Sequence, residues 1–219
     1  SLRIRGRLLA TGTADAPIEF ARDRELADAS WGGLWFEGLG AEKTELAHCR
    51  VTGAATGIVV ATARVSIQEC TVTENGVGIE VSGESTVLTW RGGRLEANRE
   101  RGVLIRGGTV HLEGLDVHGN SAEGIRATGG TTEIVSSSFG RNGGPGVVRE
   151  GGTLSLRRNR FETLARPQVV NLVSGQLLDA RDNFWGSTDP EVVLASVSAW
   201  VDVALALDCA SSEFFSDGE

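Results

Sequence analysis

Residues 109–147 read TVHLEGLDVHGNSAEGIRATGGTTEIVSSSFGRNGGPGV, and this stretch decides the fold. Val117 returns as Phe139, Asn120 as Asn142, and Gly124-Ile125 as Gly146-Val147, each 22 residues on. Outward from it, a Gly followed by an aliphatic residue recurs at Gly33-Leu34, Gly57-Ile58, Gly78-Ile79, Gly102-Val103, Gly124-Ile125 and Gly146-Val147, in steps of 24, 21, 24, 22 and 22. Another step of 22 reaches Gln168-Val169. An apolar ladder (Val51, Val72, Leu95, Val117, Phe139, Phe161) and an asparagine ladder (Asn75, Asn98, Asn120, Asn142) keep the same period. A fixed period of this length marks a stack of repeated units.

Each unit contains three short segments, such as TVHLEG, LDVHGN and GIRA. Alternation of apolar and polar residues at period two marks strands. Three strands with sharp bends close one triangular coil, and stacking pairs each strand in parallel with its copies about 4.8 Å away. No coil buries its apolar face alone, so the core is a column shared along the stack. The asparagines fall at the bend between second and third strands, where an amide bonds backbone groups and tolerates a left-handed conformation. A leucine-rich solenoid would need Leu-x-x-Leu-x-Leu followed by a helical stretch. Gly and Thr stand where that helix would lie. The expected fold is all-β: a right-handed parallel β-helix of about seven to eight coils of about 22 residues.

Composition agrees. Of 219 residues, 40% are hydrophobic and 23% charged, while Gly reaches 30 and Tyr is absent, as suits short strands and tight corners. The net charge of −8 argues against nucleic acid and anionic lipid as partners. No run of 18 apolar residues exists, so no membrane insertion is expected, and the N-terminal stretch is no signal peptide. The absence of Met reads as a piece of a longer protein.

The ends differ. Leu2, Ile4 and Leu8 look like a coil already under way, leaving an N-terminal edge for missing coils or another chain to cover. After Asn183-Phe184-Trp185-Gly186, Asp189-Pro190-Glu191 is a helix start with Asp as N-cap. A short helix with Val192, Val193, Val197 and Trp200 near one face is expected over the last coil, followed by an extended VDVALAL. The expected division is β-helix over 1–186, cap over 187–208 and acidic tail or linker over 209–219.

Leu8 to Phe20, Trp31 to Phe36, the two ladders and Asn183 to Gly186 together resemble the secreted bacterial right-handed β-helix repeat proteins of the pectin-lyase-like superfamily. The resemblance covers essentially the whole chain. It implies an extracytoplasmic location and a group that includes polysaccharide lyases, hydrolases, carbohydrate-binding surface proteins and adhesins. Fold alone does not choose among these.

Outward positions on the first strand form a central column of Glu45, Ser66, Thr89, His111, Glu133 and Ser155. The carboxylate cluster that lyases or hydrolases of the superfamily place on this face is absent, and calcium, which wants six to eight oxygens, finds too few. No cofactor or metal is implied. The catalytic candidates are His111, Glu113 and Glu133, an imidazole flanked by two carboxylates, weighed against an ordinary solvated face. Asp116 and His118 carry the same reading. Asp179, Arg181 and Asp182 are expected to bond the cap. Cys49 and Cys70 share an inward column, where a disulfide is conceivable and two stacked thiols are more ordinary. The third-strand outward column (Trp35, Val59, Glu80, Leu104, Arg126, Val148, Val170) is mostly apolar. Trp35, Val59, Leu104, Val148 and Val170 are therefore the binding candidates, with a partner protein, the chain's own VDVALAL, or a polysaccharide as occupant. Steps of 21 to 24 leave no long loop to wall a groove. The expected function is a non-catalytic scaffold, adhesive or binding module, with a carbohydrate-active enzyme as the alternative.

Overall fold

The computed structural model describes residues 1–23, 31–38, 44–162 and 166–203. The chain winds as a β-solenoid of about seven turns with one short helix near the C-terminus. The third strands form an eight-stranded parallel sheet running from Leu2–Ile4 to Val169–Asn171. The first and second strands, expected as separate sides, share one bent thirteen-stranded sheet. In the middle coils they run together as Arg64–Thr73, Val87–Glu96 and Thr109–His118. The cause is local. The first corner is turned within one or two residues of positive φ (Glu69 at 48°, Gly92 at 65° with Gly93 at 108°, Gly114 at 66°), so pairing resumes immediately beyond it.

All three sequence ladders lie in register. Leu34, Ile58, Ile79, Val103, Ile125, Val147 and Val169 stack in one inward column. The Val51 to Phe161 ladder forms another, with Phe20 paired to Val51 at its start. Its far end is aromatic: Phe139, Phe161 and Trp185 stack at centroid distances of 5.0 and 4.8 Å. Such stacking adds to simple area burial. The Gly ladder has a steric origin. A Cβ on Gly102 would fall 2.6 Å from the Gly124 carbonyl oxygen of the next coil.

The asparagines latch coil to coil. Asn120 Oδ1 accepts from Asn98 N at 3.2 Å and from Asn98 Nδ2 at 2.8 Å, while Asn120 Nδ2 donates to Leu95 O at 3.1 Å. Asn142 repeats this toward Asn120, and Asn98 toward Asn75. The left-handed backbone expected of these asparagines belongs instead to the residue before each: Glu74, Ala97, Gly119 and Arg141. The reason is a division of labour. The left-handed residue turns its side chain outward, which frees the Asn to face the buried corner.

Two expectations about the ends need correction. The step of 21 to 24 holds only from Leu34 onward, because Leu2 pairs with Leu34, 32 residues along. The first coil therefore carries extra chain, partly outside the described residues. At the other end the helix Pro190–Ala195 forms as read, with Asp189 Oδ1 accepting from Glu191 N at 2.9 Å and Val193 entering the core. Trp200 does not lie on it. It follows at φ 63° and is 48% exposed. Of the VDVALAL segment only Val201–Val203 are described. Val201 and Asp202 pair with Leu178 and Asp179, extending the first-strand side by a rung. The rest of that segment from 204, and the acidic tail, lie outside the described residues.

Asn120→Ala is expected to lower unfolding stability by about 2 kcal/mol, since the Asn98 N–H loses its acceptor in a buried site. Glu74→Ala, at an exposed corner position, is expected to be near neutral. Denaturant unfolding of both variants checks the contrast.

Candidate functional site

The first-strand face assembles as the alternation demands. Thr89, His111, Glu133 and Ser155 are successive register partners, with Arg91, Glu113, Val135 and Arg157 alongside. The three catalytic candidates do meet. His111 Nδ1 lies 3.0 Å from Glu133 Oε2, and His111 Nε2 lies 3.5 Å from Glu113 Oε2. Arg91 Nε donates to that same Glu113 oxygen at 2.9 Å. Arg91, Glu113, His111 and Glu133 thus form one linked line across three coils. The bond from Arg91, reinforced by His111 and opposed by slight burial, holds the Glu113 carboxyl below its usual range.

The arrangement has a chemical consequence. Both ring nitrogens of His111 face carboxylates, so neither is left aimed at a substrate. The line runs along an open face. The depression described on this side, about 200 Å³ between Arg64, Ser66, Val87 and Thr89, lies one rung short of His111.

A second histidine sits on the second-strand side of the same coil. His118 Nε2 lies 3.2 Å from Glu96 Oε2, and Nδ1 lies 3.1 Å from Asp116 Oδ1. On the next rung Gly140 leaves a notch of about 230 Å³ bordered by Asp116, His118, Arg141 and Glu162. The Glu162 carboxylate occupies the space a Gly140 side chain would fill. Sequence reading picked Asp116 and His118 but missed Gly140, because one Gly among 30 carries no signal of its own. A larger cleft, about 490 Å³, opens at the second corner beside Arg22, Gly53, Glu74 and Arg99. Nothing in the pattern pointed to it. Among the described residues no group of three or more His, Cys, Asp or Glu is placed to hold a metal ion. No helix among them is long and apolar enough to cross a membrane.

The third-strand column is in register as expected, from Trp35 and Val59 through Leu104 to Val148 and Val170. Its exposure is not. Val59, Leu104 and Val148 are buried, and Val170 and Trp35 are half-buried. Long paired side chains stand within the column, at Glu80 and Arg126, and beside it. Arg106 bonds Glu80 at 2.9 Å, and Arg126 bonds Glu150 and Glu123. The aliphatic stems of such long side chains can cover neighbouring apolar surface while the charged heads stay wet. Trp35 is likewise engaged: Nε1 donates to Gly32 O at 2.9 Å, and the Arg3 guanidinium carbon lies 4.9 Å from its ring centroid. The exposed apolar side chains lie instead toward the ends. Leu2 is 46% exposed although it points along the inward column, and Leu177, 67% exposed, lies one rung below Trp200.

Repeat length, ladder register and the C-terminal helix coincide with one further observation. Residues 32–165, more than half of the chain, match the family model described as right handed beta helix region. The chain belongs to that family. No curated protein and no solved structure matches it. The right-handed β-helix identity accounts for the scaffold and leaves the activity open.

Asp179, Arg181 and Asp182 serve the cap. Arg181 Nε and the Arg157 guanidinium bond Asp179 at 2.9 and 3.0 Å, and Arg181 also reaches Asp202 of the final strand at 3.8 Å. Asp182 turns the last first corner at φ 57°. The Arg181 bonds, with Arg157 behind them, hold the Asp179 carboxyl down at about 2 against an ordinary 3.8. A depressed folded-state pKa stabilises above the unfolded value and is lost as pH falls through the folded one. Docking of the final strand is therefore expected to weaken between pH 4 and pH 2. Thermal melts across that window check it, and Asp179→Asn should flatten the dependence.

Proposed function

We propose that this right-handed β-helix chain is a non-catalytic, extracytoplasmic module: a rigid scaffold that makes protein or glycan contacts through its flat faces and its N-terminal edge. The observation that carries the reading is the state of His111. An acid or base must present a free nitrogen to a substrate held within hydrogen-bond reach. His111 faces Glu133 and Glu113 instead, on a face without walls. His118 Nε2 likewise lies 3.2 Å from Glu96, while its Nδ1, 3.1 Å from Asp116, is buried without a hydrogen-bond partner and so is not presented to a substrate. Across the faces, acids are matched by arginines one coil away, as in Arg91–Glu113, Arg101–Glu123 and Arg106–Glu80. Such pairs stitch rungs together.

The N-terminal edge supports a role in contact. Among the described residues Leu2–Ile4, Leu9–Thr11 and Ile18–Ala21 each pair on one side only, and Leu2, Ile4, Ile18 and Phe20 form a partly open apolar layer. Unpaired strand edges recruit further strands. The affinity with secreted bacterial pectin-lyase-like proteins, and hence the extracytoplasmic placement, rests on Leu8–Phe20, Trp31–Phe36 and Asn183–Gly186.

A glycan-array screen of the purified chain, with and without calcium, followed by product analysis of any hit, tests the reading. Binding without bond cleavage, or no glycan binding at all, is expected, with His111→Ala indistinguishable from the parent. Cleavage lost in His111→Ala or Glu133→Gln would sink it in favour of a carbohydrate-active enzyme. Amide exchange over Leu2–Ile4 and Ile18–Ala21 is expected to be fast in the isolated chain and slowed by a partner that adds strands to this edge.

A further inference from the structure

The first corner carries its own latch, distinct from the asparagine ladder of the second. Its column runs through Ile18, Cys49, Cys70, Gly93, Leu115, Ser137, Asn159 and Asn183. In its C-terminal half an oxygen from each coil accepts the backbone N–H of the coil before. Ser137 Oγ accepts from Leu115 N at 3.1 Å, Asn159 Oδ1 from Ser137 N at 2.9 Å, and Asn183 Oδ1 from Asn159 N at 2.8 Å. Near the N-terminal end the same place is taken by sulfur, and Cys70 Sγ accepts from Cys49 N at 3.3 Å. Sulfur is a weak acceptor. The noncovalent latch is thus weak in the coil just above the partly open terminal layer of Ile18 and Phe20, and Gly93 and Leu115 offer no side-chain acceptor on the next rungs.

Both cysteines are buried and both are free thiols. They sit directly above one another, since their neighbours Arg50 and Thr71 are register partners. Rungs about 4.8 Å apart fall within the Cα separation a disulfide accepts. The Cys49 thiol rests 3.4 Å from Ala10 O of the coil below, and the Cys70 sulfur already touches the Cys49 backbone. Bridging them requires the two sulfurs to turn toward each other, Cys49 giving up its contact with Ala10. The hydrogen bond from Cys70, working against burial, holds the Cys49 thiol below its usual range. That bond and burial push Cys70 up. Cys49 lies one coil nearer the partly open terminal layer than Cys70, and is the sulfur that an oxidant reaches first.

We propose that Cys49 and Cys70 are a modification site for a disulfide oxidant and close into one intrachain disulfide that staples the second coil to the third. With oxidised glutathione as oxidant, the Cys49 thiolate attacks one glutathione sulfur and expels the other as a thiolate. Cys70, losing its proton, then attacks the Cys49 sulfur and expels the second glutathione. The protein loses two electrons and two protons, and the oxidant becomes two glutathione thiols. The inference rests on the column geometry and does not depend on the proposed function.

The experiment uses the full chain, reduced, then equilibrated in a glutathione redox buffer warm enough for the terminal coil to open. Peptide mapping after acid quench and alkylation is expected to show Cys49 joined to Cys70, with Cys209 outside the pair. The melting midpoint is expected to rise by roughly 5 °C or more on oxidation. In Cys70→Ser the serine Oγ keeps the latch, so the variant should fold, and its midpoint should not respond to the redox buffer. Two thiols still alkylatable after unfolding, glutathione retained on either one, or Cys209 bonded to either would each overturn the proposal.

Discussion

The structure depends on satisfying the backbone where the chain turns. Strand interiors pair with the coils above and below, but each corner breaks that ladder and leaves N–H groups inside. A buried unpaired amide costs as much as several good contacts gain. The chain meets this with two columns of side-chain oxygens. Asn98, Asn120 and Asn142 accept from the coil before them at the second corner. Ser137, Asn159 and Asn183 do so at the first. Because each group serves a neighbouring coil, no coil is complete alone. The stack is cooperative for that reason as well as for its shared apolar core.

This constraint explains what the sequence made legible. The period could be read because the corner asparagines, the Gly before each third strand and the inward aliphatics all answer to the next coil, and so recur at its spacing. The helix start was readable from local chemistry, with Asp189 and Pro190 acting on the very next turn. The second asparagine column escaped notice because Ser137, Leu115 and the two cysteines occupy its other rungs, so its positions share geometry and not residue type. The joined first and second strands were hidden for a related reason. A left-handed corner held by Glu69 or Arg158 looks like any exposed charged residue in the sequence.

The site was legible to a different depth. Alternation fixed which residues share a column, so His111 and Glu133 were placed together before any coordinate was known. Exposure was not fixed. Val59, Leu104 and Val148 point outward as read, yet are buried, with arginine and glutamate side chains in and beside their column. Pattern reports direction, while burial on a flat face depends on how far long neighbours reach. On a solenoid the outward charged side chains are part of the packing.

The same physics bears on activity. A repeat that supplies each acid with a basic or imidazole partner one coil away uses its titratable groups to join coils. Catalysis needs the opposite: a group whose partner is missing until substrate arrives, inside a cleft that excludes water. The regular coils from Leu34 onward spend His111, Glu113, Glu133, Glu123 and Asp179 on neighbours. Departures from regularity gather elsewhere: the long first coil, the Gly140 notch, the exposed Trp200 beyond the helix, and sulfur where oxygen latches the other corners. A strict repeat erases local distinction, so a group unlike its neighbours is found where the repeat is broken or where the stack ends.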